Sequence, residues 1–131
     1  MSSLSVIIPA RQEAHVVRTV DAVLANIRGD TDIIVILDGN WPDTTILDHP
    51  RVHLVYHNTP IGQRPSVNEG ARISTAKYVM KLDAHCMVSE GFDVTLMAPY
   101  ETGEIGMDTT TVPRMLNLWV FNWVCDGCGH E

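Results

Sequence analysis

An α/β domain built on a mainly parallel sheet is the fold class this sequence predicts. Two features carry that reading: short unbroken apolar runs of strand length, and longer segments between them whose apolar residues recur every three or four positions. Strands alternating with helices favour a parallel sheet covered on both faces. The chain of 131 residues is long enough for one core and too short for two ordinary ones, so residues 1–131 are read as a single domain.

Residues 4–9 (LSVIIP) form the first run, stopped by proline, and predict a strand buried on both faces. Ala14, Val17, Val20, Val23, Leu24 and Ile27 then recur at near-helical spacing, with Gly29 placed to end the helix. Residues 32–37 (DIIVIL) and 52–56 (VHLVY) predict the second and third strands. Between them, residues 39–50 hold too much Pro, Asp and Thr for a helix. Pro65 suits the first position of a second helix, whose apolar residues continue to Lys77. Residues 78–82 predict the fourth strand. Ser89 is placed to cap a helix through Phe92, Leu96 and Met97, and residues 105–112 predict a further strand. The apolar stretch 116–124 fits either strand or helix.

Composition narrows the function. A net charge of −7 works against nucleic-acid binding, which draws on a basic surface to displace counterions from phosphates. The amino terminus has no basic n-region, and Val6, Ile7 and Ile8 are too few for a signal peptide or membrane span. The expectation is therefore a cytoplasmic protein without a transmembrane segment. Three cysteines, with Cys86 far from Cys125 and Cys128, argue against a secreted disulfide framework.

Ligands of parallel sheets sit at the carboxyl ends of the strands. At the end of the fourth strand stand Asp83 and His85, two positions apart. If the strand continues that far, both side chains point the same way and can grip one ion. A carboxylate and an imidazole suit a divalent transition ion, and the positions left open would take a diphosphate. Taken alone, the triplet describes a turn-capping aspartate and a polar loop histidine more readily than a metal site. Likewise Glu13 can favour a helix start through the dipole, and Asp38 can serve a turn before Gly39.

In their order and spacing, SVIIPARQEA, DIIVILDGNWPD and GQRPSVNEGARISTAKYVMKLDAHCMV resemble the family 2 glycosyltransferases, whose fold is called GT-A. Pro9, Arg11 and Glu13 match the family's first strand end. Asp38 and Gly39 match its Asp-Asp-Gly-Ser block, with Leu37 in place of the first aspartate. Gly62, Asn68 and Gly70 match the Gly-x3-Ala-Arg-Asn-x-Gly block, with Ser66 and Val67 replacing Ala-Arg and Arg64 standing in for the missing arginine. Asp83-Ala84-His85-Cys86 replaces the usual Asp-x-Asp and is similar to the motif of the polypeptide N-acetylgalactosaminyltransferases.

The resemblance covers residues 4–100 and implies a three-layer GT-A domain that transfers a sugar from a UDP-sugar to an unknown acceptor. It places Pro9, Ala10, Arg11, Glu13, Asp38, Gly39, Arg64, Asn68 and Asp83 at the nucleotide-sugar and Asp83 and His85 on Mn²⁺ or Mg²⁺. Little chain follows His85, so truncation on the acceptor side is expected, with a homo-oligomer or partner chain supplying the missing wall. Trp119, Phe121 and Trp123 offer a surface for that contact. The catalytic base is unassigned, Asp108 being the least poor carboxylate. A donor-binding module without catalysis is the alternative. In the tail, residues 122–131, Cys125, Cys128 and His130 resemble half of a zinc ribbon, and Zn²⁺ there needs further ligands.

Overall fold

A computed structural model describes residues 2–113. Its elements follow in the order β1 (Leu4–Ala10), α1 (Val16–Asn26), β2 (Thr31–Asp38), β3 (Val52–His57), α2 (Gln63–Ile73), β4 (Tyr78–Lys81) and α3 (Phe92–Glu101). The four strands make one sheet in the order β3-β2-β1-β4, and every pairing is parallel. Three layers result. Leu4, Val6, Ile8, Ile33, Val35 and Leu37 face α1 and α3 on one side of the sheet. Ile7, Ile34 and Ile36 face the other, where α2 lies against β1 and β2.

The period-2 pattern explains how one strand feeds both cores. In β1, Val6 and Ile8 go to one face and Ile7 to the other, and all three are essentially inaccessible. Helix α1 presents Val16, Thr19, Val20 and Val23, at helical spacing, to the first core. Complete burial of Val20 and Val23 contributes about 1.5–3 kcal/mol each. On the opposite side, α2 approaches β1 closely enough that a Cβ on Gly70 would lie 2.6 Å from Ile7 Cγ2. Only a glycine lets the helix backbone settle there.

Proline at position 9 sits inside a central strand, and the register explains why it is tolerated. The β1–β4 pairing ends at Ile7 opposite Lys81, and Ile7 O accepts the Leu82 N–H at 2.9 Å. Pro9 has the same parity as Ile7, so its missing N–H faces the β4 side, where the ladder has stopped. Beyond this point β1 and the 82–85 segment are no longer tied together.

Several local expectations are corrected. Helix α1 stops at Asn26, and Gly29 is not its left-handed cap; Ile27 N–H closes the helix onto Val23 O. Gly29 instead donates its N–H to Asp93 Oδ2 at 2.8 Å. Helix α2 begins two residues before Pro65 and ends at Ile73, not Lys77. Proline at its third position costs nothing there, because the first four N–H groups of a helix have no intrahelical acceptor. Helix α3 is capped by Gly91 in the left-handed region, with Ser89 O accepting the Phe92 N–H. Residues 105–112 form turns and irregular chain, not a strand, with no ladder partner among the described residues. Their apolar residues Met107 and Val112 are exposed, so no sheet neighbour rewards extension. The 116–124 stretch and Cys125, Cys128 and His130 lie outside the described residues.

Candidate functional site

Because the strands are parallel, their carboxyl ends share one edge, and a cleft opens where β1 and β4 part. It is lined by Pro9, Ala10, Arg11, Glu13, Asp38, Gln63, Ser66, Asp83, Ala84 and His85. Pro9, Asp38 and Asp83 thus meet at one edge, as reading each as a strand end predicts. A smaller hollow alongside shares Ala10 and Glu13 and adds Gln12, Asn40 and Pro42. Gln12 holds φ at 50°, a left-handed conformation uncommon for a residue with a side chain. That turn separates Arg11 from Glu13 within the cleft wall.

The two residues of the Asp-x-His triplet reach the same cleft by another route than strand alternation. β4 ends at Lys81, and Ala84 and His85 lie in a turn. The Asp83 carboxylate pairs with the Lys81 ammonium. His85 Nδ1 lies 3.1 Å from Glu13 Oε2, and Glu13 Oε1 also accepts the His15 N–H at 3.2 Å. Among the described residues, no three His, Cys, Asp or Glu side chains are grouped as a metal cage. What the cleft offers a divalent ion is a carboxylate and an imidazole, with side chains 39% and 54% exposed. That donor set suits an ion whose remaining ligands are oxygens from a bound molecule.

Asp38 is almost completely buried and strongly partnered. Its Oδ1 accepts the Ile61 N–H and its Oδ2 the Gly62 N–H, both at 2.8 Å. The same Oδ1 lies 3.0 Å from His57 Nδ1. Burial pushes the carboxyl up, but the Ile61 N–H, His57 and the Gly62 N–H together outweigh it and hold Asp38 below its ordinary value. Gly39 follows in the left-handed region, packed so closely on the Pro60 ring that a side chain has no room.

Of the other residues singled out from sequence, Arg64 and Asn68 are exposed on α2, and they and Gly39 are not among those lining the cleft. Asp108 lies in an exposed turn after α3. Asp93, another acidic residue of the second half, is wholly buried. It accepts the Arg28 and Gly29 N–H groups and the Thr31 hydroxyl. Burial raises its carboxyl, while the Gly29 N–H, Thr31 and the Arg28 N–H bring it below its ordinary value. It fastens α3 to the α1–β2 turn.

Sequence reading missed Gln63 as a cleft residue and saw Ser66 only as a departure from a pattern. It also missed His57 and Glu69, whose contacts bridge β3 and α2. The block GQRPSVNEG contained three of the four, but no spacing rule ties His57 to it.

Residues 5–117 match the family model described as Glycosyl transferase family 2. Among solved structures, residues 1–349 of TarS from S. aureus are similar, with a TM-score of 0.66 at 14% identity over 87% of this chain and 39% of that one. A second S. aureus TarS structure gives a TM-score of 0.63 at 13% identity, over 87% of this chain and 23% of that one. At such identities the likeness shows the fold alone, and the chain spans well under half of either TarS chain. No curated protein sequence matches significantly. With its family match, its all-parallel three-layer architecture and its strand-end cleft, this chain belongs to glycosyl transferase family 2 and has the GT-A fold.

Proposed function

We propose that the cleft binds a nucleoside diphosphate sugar, with UDP as the nucleotide, and that the chain takes part in transferring the sugar to an acceptor. The observation that carries this reading is the convergence of Arg11, Glu13, Asp38, Asp83 and His85 on one strand-end cleft. Arg11 supplies a cationic donor for phosphate oxygens. Glu13 and Asp38 supply acceptors for an imide N–H or ribose hydroxyls, Asp38 through the lone pair left on Oδ2. Asp83 and His85 would hold a Mn²⁺ or Mg²⁺ ion. When bound, that ion supplies charge neutralisation for the departing diphosphate.

His85 would bind such an ion through Nε2 while Nδ1 keeps its contact with Glu13 Oε2, and Asp83 would bind it in competition with Lys81.

A binding role without catalysis is the second reading, and one observation favours it. The carboxylates lining the cleft are Glu13, Asp38 and Asp83, and each already has a protein partner. Among the described residues the cleft therefore offers no carboxylate without a protein partner to serve as general base. Calorimetric titration with UDP, other nucleotides and UDP-sugars, with and without Mn²⁺, followed by hydrolysis and transfer assays, separates the two readings. Selective UDP binding with turnover supports transfer, and selective binding without turnover supports the module. Equal affinity for all nucleotides ends both.

A further inference from the structure

His57 ends β3 outside the cleft lining, yet two carboxylates close on its ring. Nδ1 lies 3.0 Å from Asp38 Oδ1, and Nε2 lies 2.5 Å from Glu69 Oε2. Ionised carboxylates only accept, and a neutral imidazole has a single N–H. Both contacts are satisfied together when the ring carries a proton on each nitrogen. The hydrogen bond to Asp38 raises the ring above its ordinary value, and burial, which opposes this, is outweighed with help from Glu69. Asp38 from β2 and Glu69 from α2 are the titratable groups facing the ring. The turn between β3 and α2 brings backbone N–H groups to Asp38.

That turn is what the arrangement holds. Asp38 accepts the N–H groups of Ile61 and Gly62, and Gly62 is the N-cap of α2. No side chain of the helix's own N-cap is bonded there, so Asp38 holds the start of α2 through the N–H groups of the N-cap and of the residue before it. One turn into α2, Gln63 and Ser66 line the cleft. Glu69 belongs to the same helix. The ring therefore ties the cleft wall at two points, through Asp38 to its start and through Glu69 to its middle.

We propose that His57 is a positioning residue of the cleft, an imidazolium tie between Asp38 and Glu69 that fixes the 60–62 turn and the first turn of α2 for nucleotide binding. The proposal rests on the nucleotide reading above and adds a proton-dependent control to the same site. Loss of one ring proton turns one of the two contacts into lone pair against carboxylate, which pushes Glu69 or Asp38 away. The wall then loosens.

The test has a ligand-free arm and a ligand arm. In the first, NMR follows the His57 ring signal and the Ile61 and Gly62 amide signals from pH 5.5 to 9. The ring is expected to titrate above an ordinary histidine, the two amides to move with the same midpoint, and Glu69→Gln to lower that midpoint. In the second, UDP affinity is measured over the same range. It is expected to fall about tenfold, the change that accompanies a ring pKa one unit higher in the complex, and His57→Gln should flatten the dependence. Glu69 is 34% exposed, so Glu69→Gln keeps the test available where His57→Gln does not fold. Amides that ignore the ring, or wild-type UDP affinity that is flat with pH, overturn the proposal. Absence of UDP binding at every pH instead ends the nucleotide reading, and the NMR arm alone then decides whether the tie exists.

Discussion

Glu13 and His85, 72 residues apart in the chain, meet at 3.1 Å across the mouth of the cleft. Glu13 precedes α1 and His85 follows β4, so the pair closes the gap where β1 and β4 separate. The contact occupies Nδ1 and leaves Nε2 as the ring nitrogen for a divalent ion, while Lys81 competes with such an ion for the Asp83 carboxylate, and two protein ligands hold an ion poorly on their own. Weak ion binding in the absence of nucleotide follows. UDP should strengthen it by supplying oxygen ligands. His85→Ala is expected to abolish the Mn²⁺ enhancement of UDP binding with the fold intact. Equal enhancement in wild type and variant, measured calorimetrically, would remove Asp83 and His85 from the proposed ion site.

Asp38→Ala is expected to act on stability and on UDP together. It strips acceptors from two backbone N–H groups and a partner from the His57 ring. Leaving such groups unsatisfied costs about 1–3 kcal/mol, and UDP affinity should fall as the 60–62 turn loosens. Urea unfolding alongside UDP titration checks both, and a fully stable variant would deny Asp38 its hold on the turn.

Asp93→Asn should cost about 2–3 kcal/mol, because a buried charged acceptor of several N–H and O–H groups is replaced by a neutral amide. The urea midpoint should drop with little change in slope. A change within error would show that α3 needs no such fastening.

Gly70→Ala sets two effects against each other. Alanine favours a helix interior over glycine by about 1 kcal/mol, but its Cβ would lie 2.6 Å from Ile7 Cγ2 in a tight core. Overpacking of this kind costs about 1–3 kcal/mol, so net destabilisation is expected. Adding Ile7→Ala should relieve the clash, making the double variant less destabilised than the sum of the singles. Additive behaviour in unfolding measurements would mean that the helix simply shifts.

Stability should peak at mildly acidic pH. Asp38 and Asp93 lie below the ordinary 3.8 in the folded protein, so their contribution is present above about pH 4 and is lost as pH falls through the folded values. His57 lies above the ordinary 6.5, so its contribution is complete below about pH 6.5 and is lost as pH rises through the folded value. Unfolding free energies at pH 3, 5.5 and 9 should therefore be highest at 5.5. A value at pH 9 above that at 5.5 would contradict the charged His57 tie.

Local sequence was enough for the alternation of strands and helices, the parallel sheet and the placing of Pro9 and Asp38 at strand ends, with Asp83 two residues past the fourth strand. Those are written in local periodicity: VIIP and IIVIL have apolar residues at every position because both sheet faces are covered. Family likeness was legible in the same way, since its blocks are short and lie at or just past strand ends and along the start of α2. What lacked a local signal was lost. Residues 105–112 have strand-like composition but no partner among the described residues, and a strand exists only through its ladder. Gly29 looked like a helix cap, yet its role depends on Asp93 arriving from far along the chain. His57 and Glu69 carry no local signal for their meeting, which exists only once β3 and α2 are brought together. Only folding decides that meeting and the parting of β1 and β4 after Ile7 and Lys81, because both depend on which groups far apart in the chain become partners.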